Sequence, residues 1–383
     1  MLKNKTNLLR IYFALFYMGI GIFTTYVTVF FKSQGLSDSQ IGIITGLGPV
    51  MSLFGLMLAG NAADRLGKLN LVLSASFLLS ALCALVFPVS KTFLYLLCIN
   101  TVYTFATSPL LQLSDAMAVD YCAKHKKPFN TVKLCGTVGY AFIVLTSGYI
   151  LENREQLMFL MIAGIFFVSA LLVALVPDER VIKREKKNHA YGELFKDKAL
   201  IVLYIANLLV FIPVSYYGSF FPIFIKALAG DSLSAVAWSS FLSLISEFPF
   251  LIFAHVLCKK FGNKKVLMTS CVLMMVRWVA IAVSSHMLSA VLFNMLKGAS
   301  DIVFTYCTTA ILNKRLADHL KGTGQAVLGI LTYSVARIIG NYAGGFLSDA
   351  FGIRTVFLGC AVFPLIALFL LLSFSENKKT KKA

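Results

Sequence analysis

The chain has 383 residues, of which 58% are hydrophobic and only 14% are charged, and its formal net charge is +18 at pH 7. Soluble domains have about 25% charged residues, so this composition excludes an ordinary soluble protein and favours a chain that lies mostly in a membrane. The positive charge alone would also suit a nucleic-acid-binding protein, and only its distribution along the chain distinguishes the two.

Twelve apolar segments follow one another along the chain, separated by short polar or basic stretches. A helix that rises 1.5 Å per residue needs about 20 residues to cross the hydrocarbon core, and each segment is long enough. The predicted spans are residues 9–31, 39–62, 69–89, 92–117, 131–151, 155–176, 199–225, 234–257, 265–284, 288–313, 325–349 and 352–374. The first segment lacks the small-residue cleavage pattern of a signal peptide and is predicted to remain as the first helix.

Most of the 35 lysines and arginines lie in the N-terminal residues, in alternate loops and in the C-terminal tail. This bias follows the positive-inside rule, so both termini and the central loop are predicted to face the cytoplasm of a bacterial-type inner membrane. The basic charge then reflects orientation and attraction to anionic lipid headgroups, and no nucleic acid is expected as a partner.

The two halves of the chain repeat each other. GYILEN at residues 148–153 and GFLSDA at residues 345–350 close the fifth and eleventh spans alike. We therefore predict an all-α integral membrane protein with twelve transmembrane helices in two pseudo-repeated six-helix bundles. The predicted domains are an N-terminal bundle at 1–176, a cytoplasmic central loop at 177–198, a C-terminal bundle at 199–374 and a basic cytoplasmic tail at 375–383.

The loop after the second span reads GNAADRLGK at residues 60–68. It resembles the G-x-x-x-D-R-x-G-K signature of the major facilitator superfamily, and the twelve-span layout extends this resemblance over the whole chain. The resemblance implies the fold of that superfamily and a gating role for the signature residues, with the first glycine allowing close helix approach. A plain basic turn between helices is the alternative interpretation. The candidate gating residues here are Gly60, Asp64, Arg65, Gly67 and Lys68.

Five charged residues stand near the middle of predicted spans: Glu247, Arg277, Lys297, Asp301 and Arg337. Each would cost roughly 2.5 to 3.5 kcal/mol if it faced lipid, so they are expected to face water or each other. Three cations against two acids leave one cation over, which an anionic ligand would balance. Ion pairs that serve only helix packing are the competing interpretation.

Lys297 and Asp301 lie one helical turn apart in the tenth span, on a polar stripe that also contains Asn294. We expect them to form a coupling switch: the pair keeps Asp301 ionised, and solute draws Lys297 away so that Asp301 takes up a proton. Glu247 is the competing proton site, and Arg277 completes the predicted proton-coupling group.

Further motifs refine the resemblance. SEFPF at residues 246–250, RW at residues 277–278 and KLCGTVGY at residues 133–140 resemble the phenylpropionate permease branch, near the lactose permease and nucleoside symporter branches. Those branches are proton-coupled symporters, which implies the same energetics here. Arg337 departs from them, since the resemblance implies a small residue at its position.

Polar side chains in other spans are candidates for solute binding, with ordinary hydrogen bonding between helices as the alternative. The candidate set is Arg337, Tyr333, Asn341, Asn294, Tyr26, Asn100, Tyr103, Gln112 and Tyr216. Near the cytoplasmic end of the fourth span, Asp115 is expected to pair with Lys133 as a further gate.

The sequence thus predicts a secondary active transporter that takes up a small organic solute, such as an aromatic acid, a sugar or a nucleoside, with protons by alternating access. A proton-coupled efflux pump is the alternative, and a monomer in the lipid bilayer is the expected form. An enzyme is least favoured, because no Ser/His/Asp set occurs among only five histidines. The eight cysteines form no CxxC or His/Cys cluster, so neither a metal nor another cofactor is predicted.

Overall fold

A computed structural model describes residues 5–176, 191–194 and 197–373. Within these ranges the protein is α-helical without strands, and twelve helices are long and apolar enough to cross a membrane. They are α1 (Lys5–Ser33), α2 (Asp38–Leu66), α3 (Leu69–Val89), α4 (Phe93–Lys124), α5 (Phe129–Ile150), α6 (Leu157–Leu175), α7 (Lys198–Leu228), α8 (Leu233–Phe261), α9 (Asn263–Val283), α10 (Met287–Arg315), α11 (Asp318–Phe351) and α12 (Ile353–Leu372). Every predicted span coincides with one of these helices, which confirms the twelve-helix prediction. Most of the predicted central loop and the basic tail lie outside the described residues.

Local sequence signals set the helix ends. Ser37 and Gln40 form a reciprocal capping box that begins α2, which satisfies backbone N–H groups that a helix start otherwise leaves unbonded. Gly67 ends α2 with φ 65°, a left-handed conformation that suits glycine best. The side chain of Asp197 caps α7 by accepting a hydrogen bond from the Ala199 N–H.

The chain divides into two compact units. Unit 1 comprises Met1–Glu185 with Ser232–Ser240, and unit 2 comprises Lys186–Asp231 with Phe241–Ala383. The division into an N-terminal bundle at 1–176 and a C-terminal bundle at 199–374 stays a prediction. Within unit 1, the Glu152 carboxylate accepts hydrogen bonds from the backbone N–H groups of Leu233 (3.2 Å) and Ser234 (2.9 Å) at the start of α8.

Glycines allow close helix packing in unit 1, where α1 packs on α5 and α6, α2 on α4, and α3 on α4 and α6. A Cβ at Gly55 would lie 2.3 Å from the Phe105 carbonyl oxygen of α4, so no larger residue fits between α2 and α4 there. A Cβ at Gly60 would meet nothing within 4 Å. The expectation that Gly60 permits close helix approach is therefore wrong, and Gly55 has that role.

Unit 2 packs α7 on α11 and α12, and α9 on α10 and α12. Its helices α10 and α11 each contain one π turn, at Gly298–Ile302 and at Leu331–Val335. A π turn closes i→i+5 hydrogen bonds and changes which side chains align along a helix. Both π turns lie beside charged residues that the sequence singled out.

Candidate functional site

Four of the five mid-span charges form two ion pairs within unit 2. The Arg277 Nη1 atom lies 2.9 Å from the Asp301 Oδ1 atom, and the two side chains are 0% and 7% exposed. The Lys297 Nζ atom lies 2.7 Å from the Glu247 Oε1 atom, with side chains 26% and 17% exposed. The first pair is therefore sealed from solvent, and the second is partly open.

The expected pairing of Lys297 with Asp301 is wrong. In a regular α-helix, residues four apart lie about 40° from each other around the axis. The π turn at Gly298–Ile302 begins directly after Lys297 and includes Asp301, so the regular α-helical spacing on which that expectation relied does not hold across this segment. Asp301 pairs with Arg277 of α9 instead.

The partner of Lys297 comes from α8. A Cβ at Gly298 would lie 2.1 Å from the backbone oxygen of Ser246. The backbone of α8 therefore occupies the space that a side chain at position 298 of α10 would need. Glu247 follows Ser246 in the chain, and this approach brings its carboxylate to Lys297. The Lys297–Glu247 ion pair thus depends on the glycine at position 298, which lets α8 and α10 approach each other.

The Arg277–Asp301 pair is surrounded by polar and aromatic groups. The Arg277 Nη1 atom also donates to the Ser300 hydroxyl (3.0 Å), which itself donates to Asp301 Oδ1 (2.9 Å). The guanidinium carbon lies 4.1 Å from the ring centre of Trp278 and 5.4 Å from that of Tyr217. The sequence analysis missed Ser300, and no signal could have found it, because its position depends on the π turn.

Several buried polar atoms around this pair have no hydrogen-bond partner among the described residues. Asn294 is buried and donates its amide to the Tyr217 hydroxyl at 2.9 Å, so this predicted solute residue supports Tyr217. The unpartnered atoms are Arg277 Nε and Nη2, Asp301 Oδ2, Asn294 Oδ1 and Trp278 Nε1. Because buried polar groups are costly when unbonded, this cluster retains binding capacity for a proton or a polar ligand.

The three candidates on α11 have different surroundings. Arg337 is exposed and has no ion-pair or hydrogen-bond partner among the described residues, and Tyr333 before it is 70% exposed. Asn341 is fully buried, with both amide atoms unpartnered. The side chains of Arg337 and Tyr333 are therefore exposed, while Asn341 lies below the surface, and solute binding by these residues stays a prediction.

In unit 1 the expected pair between Lys133 and Asp115 is present. The Lys133 Nζ atom lies 2.6 Å from Asp115 Oδ2, and 5.4 Å from the ring centre of Tyr17. The pair joins α4 to α5, and both side chains are about one-third exposed. This contact supports the predicted pairing, while its role as a gate stays a prediction.

Two predicted solute residues are packing residues in this structure. The Tyr26 hydroxyl donates to the Val144 carbonyl oxygen at 2.7 Å and ties α1 to α5. The Tyr216 hydroxyl is hydrogen-bonded to the Ser348 hydroxyl at 2.7 Å and ties α7 to α11. Both tyrosines are buried, so their polar atoms are already used within their own unit.

The candidates on α4 divide in the same way. Asn100 is buried and donates to the Ile44 carbonyl oxygen at 3.3 Å, and the buried Tyr103 ring stacks on Phe23 at 4.2 Å. Gln112 alone of the three is exposed. The packing alternative therefore describes Asn100 and Tyr103 in this structure, and solute binding by Gln112 stays a prediction.

The signature residues lie where α2 meets α3. Asp64, Arg65 and Lys68 are all exposed, and Gly67 turns the chain between the helices as the motif predicts. No group of three or more His, Cys, Asp or Glu side chains that could hold a metal ion occurs in the part of the chain that the structure describes.

Twelve helices long and apolar enough to cross a membrane, three of which carry ion pairs near mid-length, are the features of a multi-pass membrane transporter. A sequence profile of the MFS_1 like family matches residues 6–359, so the chain belongs to this family of major facilitator transporters. This result confirms the resemblance and the fold class that the sequence predicted.

Two relatives and one solved structure match along nearly their full lengths. The chain is 23% identical to the maltose permease of Geobacillus stearothermophilus, covering 98% of this chain and 96% of the relative. It is 24% identical to a probable 3-phenylpropionic acid transporter of Escherichia coli (strain K12), covering 97% and 98%. The crystal structure of the nucleoside transporter NupG matches with a TM-score of 0.87 at 17% identity, covering 98% of this chain and 100% of NupG. At this identity the likeness to NupG shows the fold alone.

Proposed function

We propose that this transporter takes up a small organic solute together with protons by alternating access, and that Asp301 carries the proton. The observation behind this proposal is the sealed Arg277–Asp301 pair in the middle of two spanning helices. An intramembrane ion pair is costly to bury, and such residues commonly belong to ion pathways and proton relays.

The geometry supplies an acceptor atom for the proton. Asp301 Oδ1 accepts from Arg277 and Ser300, whereas Oδ2 has no hydrogen-bond partner among the described residues and is able to accept a proton. Protonation neutralises the carboxylate and weakens its bond to Arg277. Loss of that ion pair leaves the buried guanidinium free to bind a different group, which links the proton to a rearrangement of α9 against α10.

The Lys297–Glu247 pair has a different part in this proposal. Both side chains are partly exposed, so a solute is able to reach them. The Lys297 Nζ atom also lies 5.7 Å from the ring centre of Tyr217, and the Arg277 guanidinium lies on the same ring. A solute that displaces Glu247 from Lys297 would act through Tyr217 on the proton-carrying pair. The coupling switch thus involves two ion pairs rather than the single Lys297–Asp301 pair expected from the sequence.

The comparisons support transport of a small organic solute, since the two nearly full-length relatives named above are a permease and a probable transporter of an organic acid. A multi-drug resistance efflux pump of Streptococcus pneumoniae also matches, over 46% of this chain, and we prefer uptake because the permease matches extend over nearly the whole chain. We further propose that the protein acts as a monomer in a bacterial inner membrane with both termini in the cytoplasm.

Reconstituted vesicles test the proposal. With a proton gradient imposed, radiolabelled 3-phenylpropionate, maltose and uridine are screened while a trapped dye reports internal pH. We expect at least one solute to enter against its gradient with protons moving in the same direction. Proton movement opposite to the solute would instead identify an exchanger, and transport unaffected by the gradient would contradict proton coupling.

The proton site is tested with Asp301→Asn, which mimics the protonated acid. The folded variant should still exchange solute across the membrane but should not accumulate it when protons are supplied outside. Asp318→Asn, which changes a 96% exposed acid at the start of α11, is the matched control and should retain proton-driven accumulation. If Asp301→Asn accumulates solute as the parent does and Glu247→Gln does not, Glu247 carries the proton.

A further inference from the structure

We propose that the transported solute carries a single carboxylate and that Arg337 of α11 binds it, an inference that rests on the proposed transport function and names its substrate class. Nothing in the family match assigns a role to this residue. Three observations carry the inference: the unpaired charge of Arg337, the side of α11 on which it lies, and the polar groups next to it.

Charge balance in the middle of unit 2 leaves one cation over. Arg277 and Lys297 are each bound to a carboxylate. Arg337 has no carboxylate partner among the described residues, and a guanidinium stays charged at every depth of the membrane. An unpaired intramembrane cation marks a pathway for an anion or a site that binds one.

Arg337 lies on the side of α11 that carries its buried polar and small residues. At about 100° per residue, Asn341, Gly344 and Ser348 lie within about 40° of Arg337 around the axis, and all three are buried. The exposed apolar side chains of Ile339, Tyr342 and Phe346 lie roughly 140° to 200° from Arg337, and those of Leu347 and Phe351 lie between the two groups. The Arg337 side chain is itself exposed.

Polar groups flank Arg337 on both sides. Asn341 lies one turn later and about 40° around the axis, fully buried, with its amide oxygen and nitrogen both unpartnered. Tyr333 lies one turn earlier in the π turn Leu331–Val335 and is largely exposed. An exposed guanidinium beside an unsatisfied amide and a phenol is suited to bind a polar ligand.

The chemistry selects a carboxylate among anions. The planar guanidinium donates two parallel hydrogen bonds to the two oxygens of a carboxylate, a fit that a lysine ammonium does not reproduce. A phosphate monoester carries close to two negative charges at pH 7 and would need a second free cation. Arg337 offers one positive charge, which matches a monocarboxylate.

Carboxylate binding by the purified full-length protein in detergent tests the proposal without any proton gradient. The probes are benzoate, 3-phenylpropionate and butyrate, each beside its uncharged amide, with the thermal unfolding midpoint measured against probe concentration. We expect at least one carboxylate to raise the midpoint in a saturable way and its amide to have no effect. Inorganic phosphate stabilising the protein while no carboxylate does would overturn the choice of ligand class.

Two variants assign the effect to Arg337. Arg337→Gln should abolish stabilisation by the carboxylate, and Arg337→Lys should weaken its affinity about tenfold, because the charge stays and the paired hydrogen bonds are lost. Arg354→Gln, which removes an arginine at the start of α12, is the matched control and should bind as the parent does. Each variant is first checked for a single cooperative transition without probe. Parent-like affinity in both Arg337 variants would overturn the proposal.

The outcome is separable from that of the proposed function. Carboxylate binding that depends on Arg337, without proton-driven accumulation in vesicles, would support this inference and reject proton coupling. Proton-driven uptake of maltose or uridine, with no carboxylate bound by the purified protein, would support proton coupling and reject this inference.

Discussion

Two cations in the middle of unit 2 differ in how completely they are removed from solvent. Arg277 is fully buried between aromatic rings, whereas Lys297 is 26% exposed. A buried charge without its partner cannot be hydrated, and removing one member of a buried pair is therefore strongly destabilising. The two acids that neutralise these cations should accordingly contribute unequally to stability.

We predict that Asp301→Asn lowers the free energy of unfolding by about 3 kcal/mol and that Glu247→Gln lowers it by about 1 kcal/mol or less. Reversible unfolding of the purified variants in mixed detergent micelles measures both values. The double variant Arg277→Met, Asp301→Leu removes both charges and should recover most of the lost stability without recovering proton-driven transport. Equal losses for the two single variants would show that burial does not distinguish the pairs.

At the scale of helices, the second ion pair depends on how closely α8 approaches α10. Gly298 is the contact point, since a Cβ there would lie 2.1 Å from the Ser246 carbonyl oxygen, which belongs to the backbone and cannot rotate aside. The sequence shows Gly298 next to Lys297 but does not show which helix lies opposite. For the same reason, the sequence predicted Gly60 as the glycine that allows close helix packing, whereas Gly55 has that role in the structure.

Gly298→Ala should therefore separate the two helices and lower the free energy of unfolding by about 1 to 3 kcal/mol, the usual range for overpacking. Gly329→Ala in α11 is the matched control, because a Cβ there meets nothing within 4 Å. Thermal unfolding compares the two variants.

A double-mutant cycle between Glu247 and Lys297, repeated in the Gly298→Ala background, tests the link to the ion pair. The coupling energy of the pair should shrink when the helices move apart. An unchanged coupling energy in that background would mean that the ion pair does not depend on this helix contact.

For the whole molecule, the distribution of lysine and arginine predicts orientation in the membrane. The basic residues at 183–187 and 378–382 lie outside the described residues, so this prediction rests on the sequence and the positive-inside rule. A periplasmic phosphatase fused after residue 186 should be inactive, and one fused after residue 230, between α7 and α8, should be active. The opposite pair of activities would reverse the proposed orientation.

The sequence alone was sufficient for the membrane character, the twelve helices and the family. These features depend on composition, on the length of apolar segments and on short motifs such as GNAADRLGK, all of which are local properties of the chain. The sequence also identified the five mid-span charges, because a charge in an apolar segment is conspicuous without knowledge of its neighbours. The Lys133–Asp115 pair was also predictable from the sequence, because the consecutive antiparallel helices α4 and α5 bring those residues together.

Only the tertiary structure decided which charge binds which partner. Asp301 pairs with Arg277 of α9 rather than with Lys297 of its own helix. Lys297 pairs with Glu247 of α8, which a glycine contact between α8 and α10 brings close. Tertiary packing also separated the buried Tyr26, Tyr216, Asn100 and Tyr103 from the exposed Gln112 and Arg337. The physical reason is the same throughout: helical periodicity predicts which residues share a side of one helix, whereas partners and burial are set by the helices that pack against it.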